Sequence, residues 1–125
     1  MKLELGNDQG LIHIRGYGKG FIDLPSERAT RSLIVTPTQL IRSWPPQQFA
    51  ELRDEHLEIM LSFNPEIILL GCGAKVESPA FKWATHFSAM GIGFEAMDTG
   101  AACRSFNVLA SEGRNVAAAL FIIAE

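Results

Sequence analysis

The front of the chain alternates apolar and polar residues. Leu11-Ile12-His13-Ile14-Arg15 and Gly20-Phe21-Ile22-Asp23-Leu24 flank Gly16-Tyr17-Gly18-Lys19, the pattern of a hairpin or meander with a glycine-rich turn. Arg31-Ser32-Leu33-Ile34-Val35-Thr36 predicts a further strand, stopped by Pro37. Ile41 to Trp44 predicts a short one before the Pro45-Pro46 break. The period then changes. Asp54 is placed to cap a helix running to Phe63, with Leu57, Met60 and Leu61 on one face and Asn64-Pro65 as its end. Ile67-Ile68-Leu69-Leu70 is a continuous apolar run, as a strand buried on both faces requires. Ser78-Pro79 opens a helix to Met90, with Gly91 as the stop. In that helix Phe81, Ala84, Thr85 and Ser88 fall at helical spacing and form the face expected against a sheet. Ile92 to Met97 reads as a strand, Asp98-Thr99 as the cap of a third helix over Ala101 to Glu112, and Arg114 to Ile123 as the last strand.

The C-terminal half is therefore β-α-β-α-β, the alternation of an α/β fold. The β-rich N-terminal half adds strands to the same sheet or forms a small second sheet beside it. Hairpins are antiparallel by construction, so the sheet is expected to be mixed.

Composition narrows the classes. At 125 residues the chain suits a single domain spanning 1–125, long enough to bury a core without a disulfide or metal. With 47% hydrophobic and 20% charged residues it is not intrinsically disordered. A net charge of −3, with only 11 scattered Lys and Arg, argues against nucleic acid as a partner. The longest uncharged apolar segment, Val116 to Ala124, falls well short of the ~18 residues of a membrane span, so an integral membrane protein is not expected. Met1 to Asp8 carries neither an apolar signal core nor transit-peptide character, which predicts a cytoplasmic location. There Cys72 and Cys103 stay reduced. They form no C-x-x-C pattern, and His13, His56 and His86 have no ligand spacing, so neither metal nor cofactor is expected.

Candidate chemistry comes from topology. If strands 67–70 and 92–97 are parallel neighbours, the loops at their carboxyl ends share one crevice, where open α/β sheets bind ligands. Gly71, Cys72 and Gly73 would face Asp98 and Thr99 there, with Arg104 adding positive charge near a helix N-terminus suited to an anion. The competing reading is that the glycines make a tight turn and that Asp98 or Thr99 simply caps the helix. Cys72 is the best-placed thiol, but no histidine is assignable as its base, so a small buried residue is the alternative. Cys103 shares its helical spacing with Phe106 and Ala110, as a packing residue would. Glu95 and Asp98, three apart, are expected on opposite sides and make a poor acid–base pair. Asn107 is a weak helix former lying off the Phe106 face, either solvated or meeting a partner. Trp44 and Trp83 are expected to be the exposed aromatics, with Phe49, Phe63, Phe81 and Phe87 mostly in the core.

Several of these segments resemble a known family. Gly16-Tyr17-Gly18, Val35-Thr36-Pro37, Leu70-Gly71-Cys72-Gly73 and the stretch from Met97 to Leu120 (beginning Met97-Asp98-Thr99-Gly100-Ala101-Ala102-Cys103-Arg104-Ser105-Phe106-Asn107) are similar to the domain of unknown function shared by mitochondrial complex I assembly factor 3, an adipogenesis-associated protein and many small prokaryotic proteins. The resemblance runs from about Ile12 to Leu120. It implies a three-layer α/β fold around a central mixed sheet. It also implies a stand-alone domain with no catalytic residues to carry over, acting through contacts with other proteins. The lack of a targeting presequence fits a bacterial, cytosolic member. The expected function is a non-enzymatic protein-binding or assembly-factor-like domain with an unidentified protein partner, for a respiratory or other membrane complex. The alternative is a small-molecule (anion) binding protein or enzyme using the crevice of Gly71, Cys72, Gly73, Asp98, Thr99, Arg104 and Asn107. The sequence leaves the oligomeric state open.

Overall fold

In the computed structural model, which describes residues 11–125, the β-rich front half divides between two sheets. Strands β1 (Gly16–Gly18), β2 (Phe21–Asp23) and β3 (Arg28–Ala29) form a small antiparallel sheet. β4 (Leu33–Val35) and β5 (Leu40–Ile41) instead join β6 (Ile67–Gly71), β7 (Gly93–Met97) and β8 (Val116–Leu120) in a five-stranded sheet of order β5-β4-β8-β6-β7. This central sheet is mixed: β6 runs parallel to β7 and β8, while β4 is antiparallel to β5 and β8. Among the described residues the α-helices are α1 (Asp54–Glu58), α2 (Lys82–Ser88) and α3 (Thr99–Ser111).

Three layers follow from the pleat, which sends successive residues to opposite faces. Along β8, Ala117 and Ala119 join Trp44, Leu57, Met60, Trp83 and Phe87 under α1 and α2. Val116, Ala118 and Leu120 join Ile14, Ile22, Leu24, Cys103 and Phe106 under α3 and the small sheet. β4 and β6 divide the same way, with Ile34, Ile68 and Leu70 on the first face and Leu33, Val35 and Leu69 on the second. The apolar runs of the sequence are thus strands with a core on each side.

Several expectations are corrected. Gly16–Gly18 is a strand and not a turn; the reversal falls at Lys19-Gly20, where Gly20 takes φ 86°. Ile12 to Arg15 lies outside the ladder, with the Ile12 N–H donating to the Pro37 carbonyl and the Arg15 N–H to the Asp23 carbonyl. The short strand is Leu40–Ile41, and Trp44 beyond it is fully buried, its indole N–H donating to the His56 carbonyl at 3.0 Å. Trp83 is buried as well, donating to Asp54 Oδ1 at 2.8 Å, so Asp54 receives an indole where a helix cap was expected; the cap position belongs to Arg53. Both expected helices 54–63 and 78–90 are part 3-10: residues Ile59–Phe63 follow α1, and Ser78–Phe81 precede α2. Across the 3-10 turn and α2 the buried face is Ala80, Trp83 and Phe87; Phe81, Thr85 and Ser88 are exposed. Burying two large aromatic rings outweighs burying one ring with small polar residues. Met1 to Asp8, read for targeting signals, lies outside the described residues.

Candidate functional site

Because β6 and β7 are adjacent and parallel, their carboxyl-end loops do meet. They meet closely. The Cys72 N–H donates to the Met97 carbonyl at 2.8 Å, and the Thr99 N–H donates to the Gly73 carbonyl at 2.9 Å. Thr99 is wholly buried; its hydroxyl accepts from the Gly73 N–H at 2.8 Å and donates to the Phe121 carbonyl at 2.6 Å. The Phe121 N–H returns to the Gly71 carbonyl at 2.9 Å. One threonine thereby ties the ends of β6, β7 and β8. A Cβ on Gly71 would meet Thr99 Cα at 3.0 Å and Leu120 Cδ2 at 2.9 Å, so the close approach that glycine permits here is to the chain's own backbone.

The start of α3 is likewise internally bonded. Asp98 caps it, accepting from the Ala101 N–H at 2.8 Å, and its carbonyl takes the Ala102 N–H. The Tyr17 ring lies over Gly100, where a Cβ would come within 2.8 Å of Cε1. The Arg104 guanidinium, on the second turn, donates to the Tyr17 hydroxyl. Asn107 neither faces solvent alone nor waits for a partner. Its Oδ1 accepts from the Ile14 N–H and its Nδ2 donates to the Ile14 carbonyl, both at 2.8 Å. The side-chain amide thus acts as a one-residue strand for the segment ahead of β1.

The seven expected residues therefore divide into three neighbourhoods. Gly71 and Thr99 are packed together at the strand ends. Cys72 and Gly73 border an open groove of about 700 Å³ shared with Gln47, Gln48, Glu77 and Glu125. Asp98 caps α3, while Arg104 and Asn107 hold the front of the chain against it. Tyr17 and Ile14 were missing from the expected set. The one indirect signal was Asn107 in mid-helix.

Neither thiol is poised as a nucleophile. Cys72 is 6% exposed, and burial pushes its pKa up, aided by the negative charges of Glu77 and Asp98 and opposed by hydrogen bonds from the backbone. Burial drives Cys103 to about 12. The histidines stay apart: His56 Nδ1 accepts from the Arg53 N–H at 3.0 Å, and His86 sits edge-on to Phe87.

Residues 14–121 match the model of a family described as "Protein of unknown function (DUF498/DUF598)". The chain is 29% identical over 117 residues to the 13 kDa major membrane protein of Francisella tularensis subsp. holarctica (strain LVS), covering 93% of this chain and 95% of that one. It is 34% identical over 88 residues to NADH dehydrogenase (ubiquinone) 1 alpha subcomplex assembly factor 3 of Danio rerio, covering 69% of this chain and 50% of that protein. A crystal structure of a Bordetella parapertussis protein superposes with a TM-score of 0.82 at 33% identity, over 91% of this chain and 98% of that one.

Proposed function

We propose, from the premise that this chain belongs to the DUF498/DUF598 family, that it is a non-enzymatic protein-binding module that helps a respiratory or other membrane complex to assemble. The observation carrying this reading is its similarity to the Danio rerio assembly factor, of which it spans half the length. The geometry supports it. Polar groups at the carboxyl edge of the sheet, where a fold of this class would hold a substrate, are bonded to one another, which leaves the outer surface for recognition. No helix among the described residues is long and apolar enough to cross a membrane, and the module is proposed to reach its complex from the cytoplasm.

Deleting the gene tests this. The expected result is loss of the assembled complex on native gels with accumulation of its subcomplexes, and recovery of those subunits on the tagged chain. Normal complex content together with no recovered subunit would overturn it.

A second reading, a small-molecule site or enzyme beside Cys72, draws on the groove of about 700 Å³. The charged residues of its lining are Glu77 and Glu125, which favours a neutral or cationic ligand over the anion expected from the helix terminus. Titration with small metabolites of both charges should then shift the amide signals of Gly73 and Glu77. Silence with both sets removes the reading.

A further inference from the structure

We propose that the free edge of β7 joins two copies of this chain, strand against strand, into one continuous sheet. β7 ends the five-stranded sheet. The Gly93 N–H donates to the Glu66 carbonyl and the Met97 carbonyl accepts from the Cys72 N–H, so Gly93, Glu95 and Met97 turn their backbone groups toward β6. Phe94 and Ala96, between them, turn theirs outward. Among the described residues no strand lies on that side. β7 carries no proline or lysine, and its one edge charge is Glu95.

The layer beside this edge is unfinished too. α3 packs mainly on β6 and β8 and only lightly on β7, leaving a groove of about 430 Å³. Ile67, Met97, Val108 and Leu109 give it apolar walls, and Val108 is 55% exposed. Its two charged residues are Glu95 on the strand and Arg104 on the helix, and among the described residues neither is in an ion pair.

Those charges choose the occupant and the register. An antiparallel pairing with its two-fold axis at Glu95 would set that carboxylate directly against its own copy, which is destabilising. An axis at Ala96 makes Ala96 a hydrogen-bonded pair with itself and sets Phe94 against Asp98 of the second copy. Glu95 then lies opposite Met97 of the second copy. Met97 adjoins α3 at Ser105, whose hydroxyl donates to its sulfur at 3.6 Å, and Arg104 is the next residue along. The axis thus brings Glu95 of each copy toward Arg104 of the other, twice over, as an isologous interface requires. A foreign strand would have to supply both charges, whereas a second copy carries them.

Sedimentation equilibrium on the full chain tests the proposal, with amide exchange as a residue-level readout. The expected mass is that of two chains, with protection of the Phe94 and Ala96 amides rising with concentration. Ala96→Pro removes an N–H that is unbonded in the single chain, a change edge strands tolerate, and should give the one-chain mass. Glu95→Arg should weaken association by about tenfold or more, and adding Arg104→Glu should restore it. This charge swap keeps the test valid even if the proline variant fails to fold. A one-chain mass at the highest soluble concentration overturns the proposal. So does a two-chain mass indifferent to Glu95→Arg and its rescue, or a single chain whose Phe94 and Ala96 amides are protected only by a different protein.

Discussion

Asn107 shows how one side chain holds a distant segment in place. Its two bonds to the Ile14 peptide keep the chain ahead of β1 on α3 and seat the Ile14 side chain in the core shared with Phe106. Asn107→Leu leaves a part-buried N–H and C=O without partners, an expected loss of about 1–3 kcal/mol in urea unfolding. Asn107→Asp keeps the acceptor for the N–H but not the donor for the carbonyl, and should fall between Leu and wild type. An unshifted midpoint for Asn107→Leu would mean that water serves both groups and that the amide holds nothing. Cys103 acts chiefly through burial, which outweighs the opposing pull of the Arg104 charge. Its thiol ionises at about 12 in the folded chain against an ordinary 9.0, so between those pH values the folded state binds more protons than the unfolded one. Stability is therefore complete below pH 9 and falls as pH rises toward 12, by at most about 1.4 kcal/mol per unit from this group. Unfolding midpoints measured from pH 8 to 11 should decline less in Cys103→Ala than in the parent chain. Equal slopes would assign the alkaline loss elsewhere.

Elements meet where a single atom decides the fit. α3 begins under the ring of Tyr17, and Gly100 is the residue that admits it. Alanine is worth about 1 kcal/mol more than glycine in a helix, yet its Cβ at position 100 would press on Tyr17 at 2.8 Å. Gly100→Ala should therefore destabilise the chain by roughly 1–3 kcal/mol, the usual cost of overpacking. In a Tyr17→Ala background the same change should stabilise. Thermal melts of the four chains in this cycle check the reversal of sign, and the same sign in both backgrounds would show that the ring is not what the glycine accommodates. This contact also marks how far the site could be read from sequence. The meeting of Gly71-Cys72-Gly73 with Asp98-Thr99 was legible, because two apolar runs joined by one helix favour parallel neighbours. Tyr17 over Gly100 was not, since the partners are far apart in the chain and local pattern carries no such pairing. The face of α2 was misread for a different reason. Ala80-Trp83-Phe87 and Phe81-Ala84-Ser88 have the same spacing, and the 3-10 turn over Ser78–Phe81 advances the phase by more per residue than an α-helix.

At the scale of the whole molecule, the mixed sheet and alternating C-terminal half were legible from period and composition, but the strand order was not. β8 is the last strand in sequence and the middle one in space, reached from β7 by the crossover through α3. A central strand must satisfy both layers at once, and β8 does so with Ala117, Ala118 and Ala119, all fully buried. These small residues let Trp44 and Phe121 lie close on one side and Cys103 and Phe106 on the other. Ala117→Leu and Ala118→Leu should each overpack one layer, at an expected cost of about 1–3 kcal/mol in urea unfolding. In either single variant β8 can ease a little toward the opposite layer. Its hydrogen bonds to β4 and β6 limit sideways movement, so that relief runs perpendicular to the sheet. The double variant removes the relief on both sides, and its loss should exceed the sum of the singles by more than the ~0.5 kcal/mol within which independent sites add. Simple additivity would mean that each layer adjusts by itself, and that β8 does not transmit packing from one face of the molecule to the other.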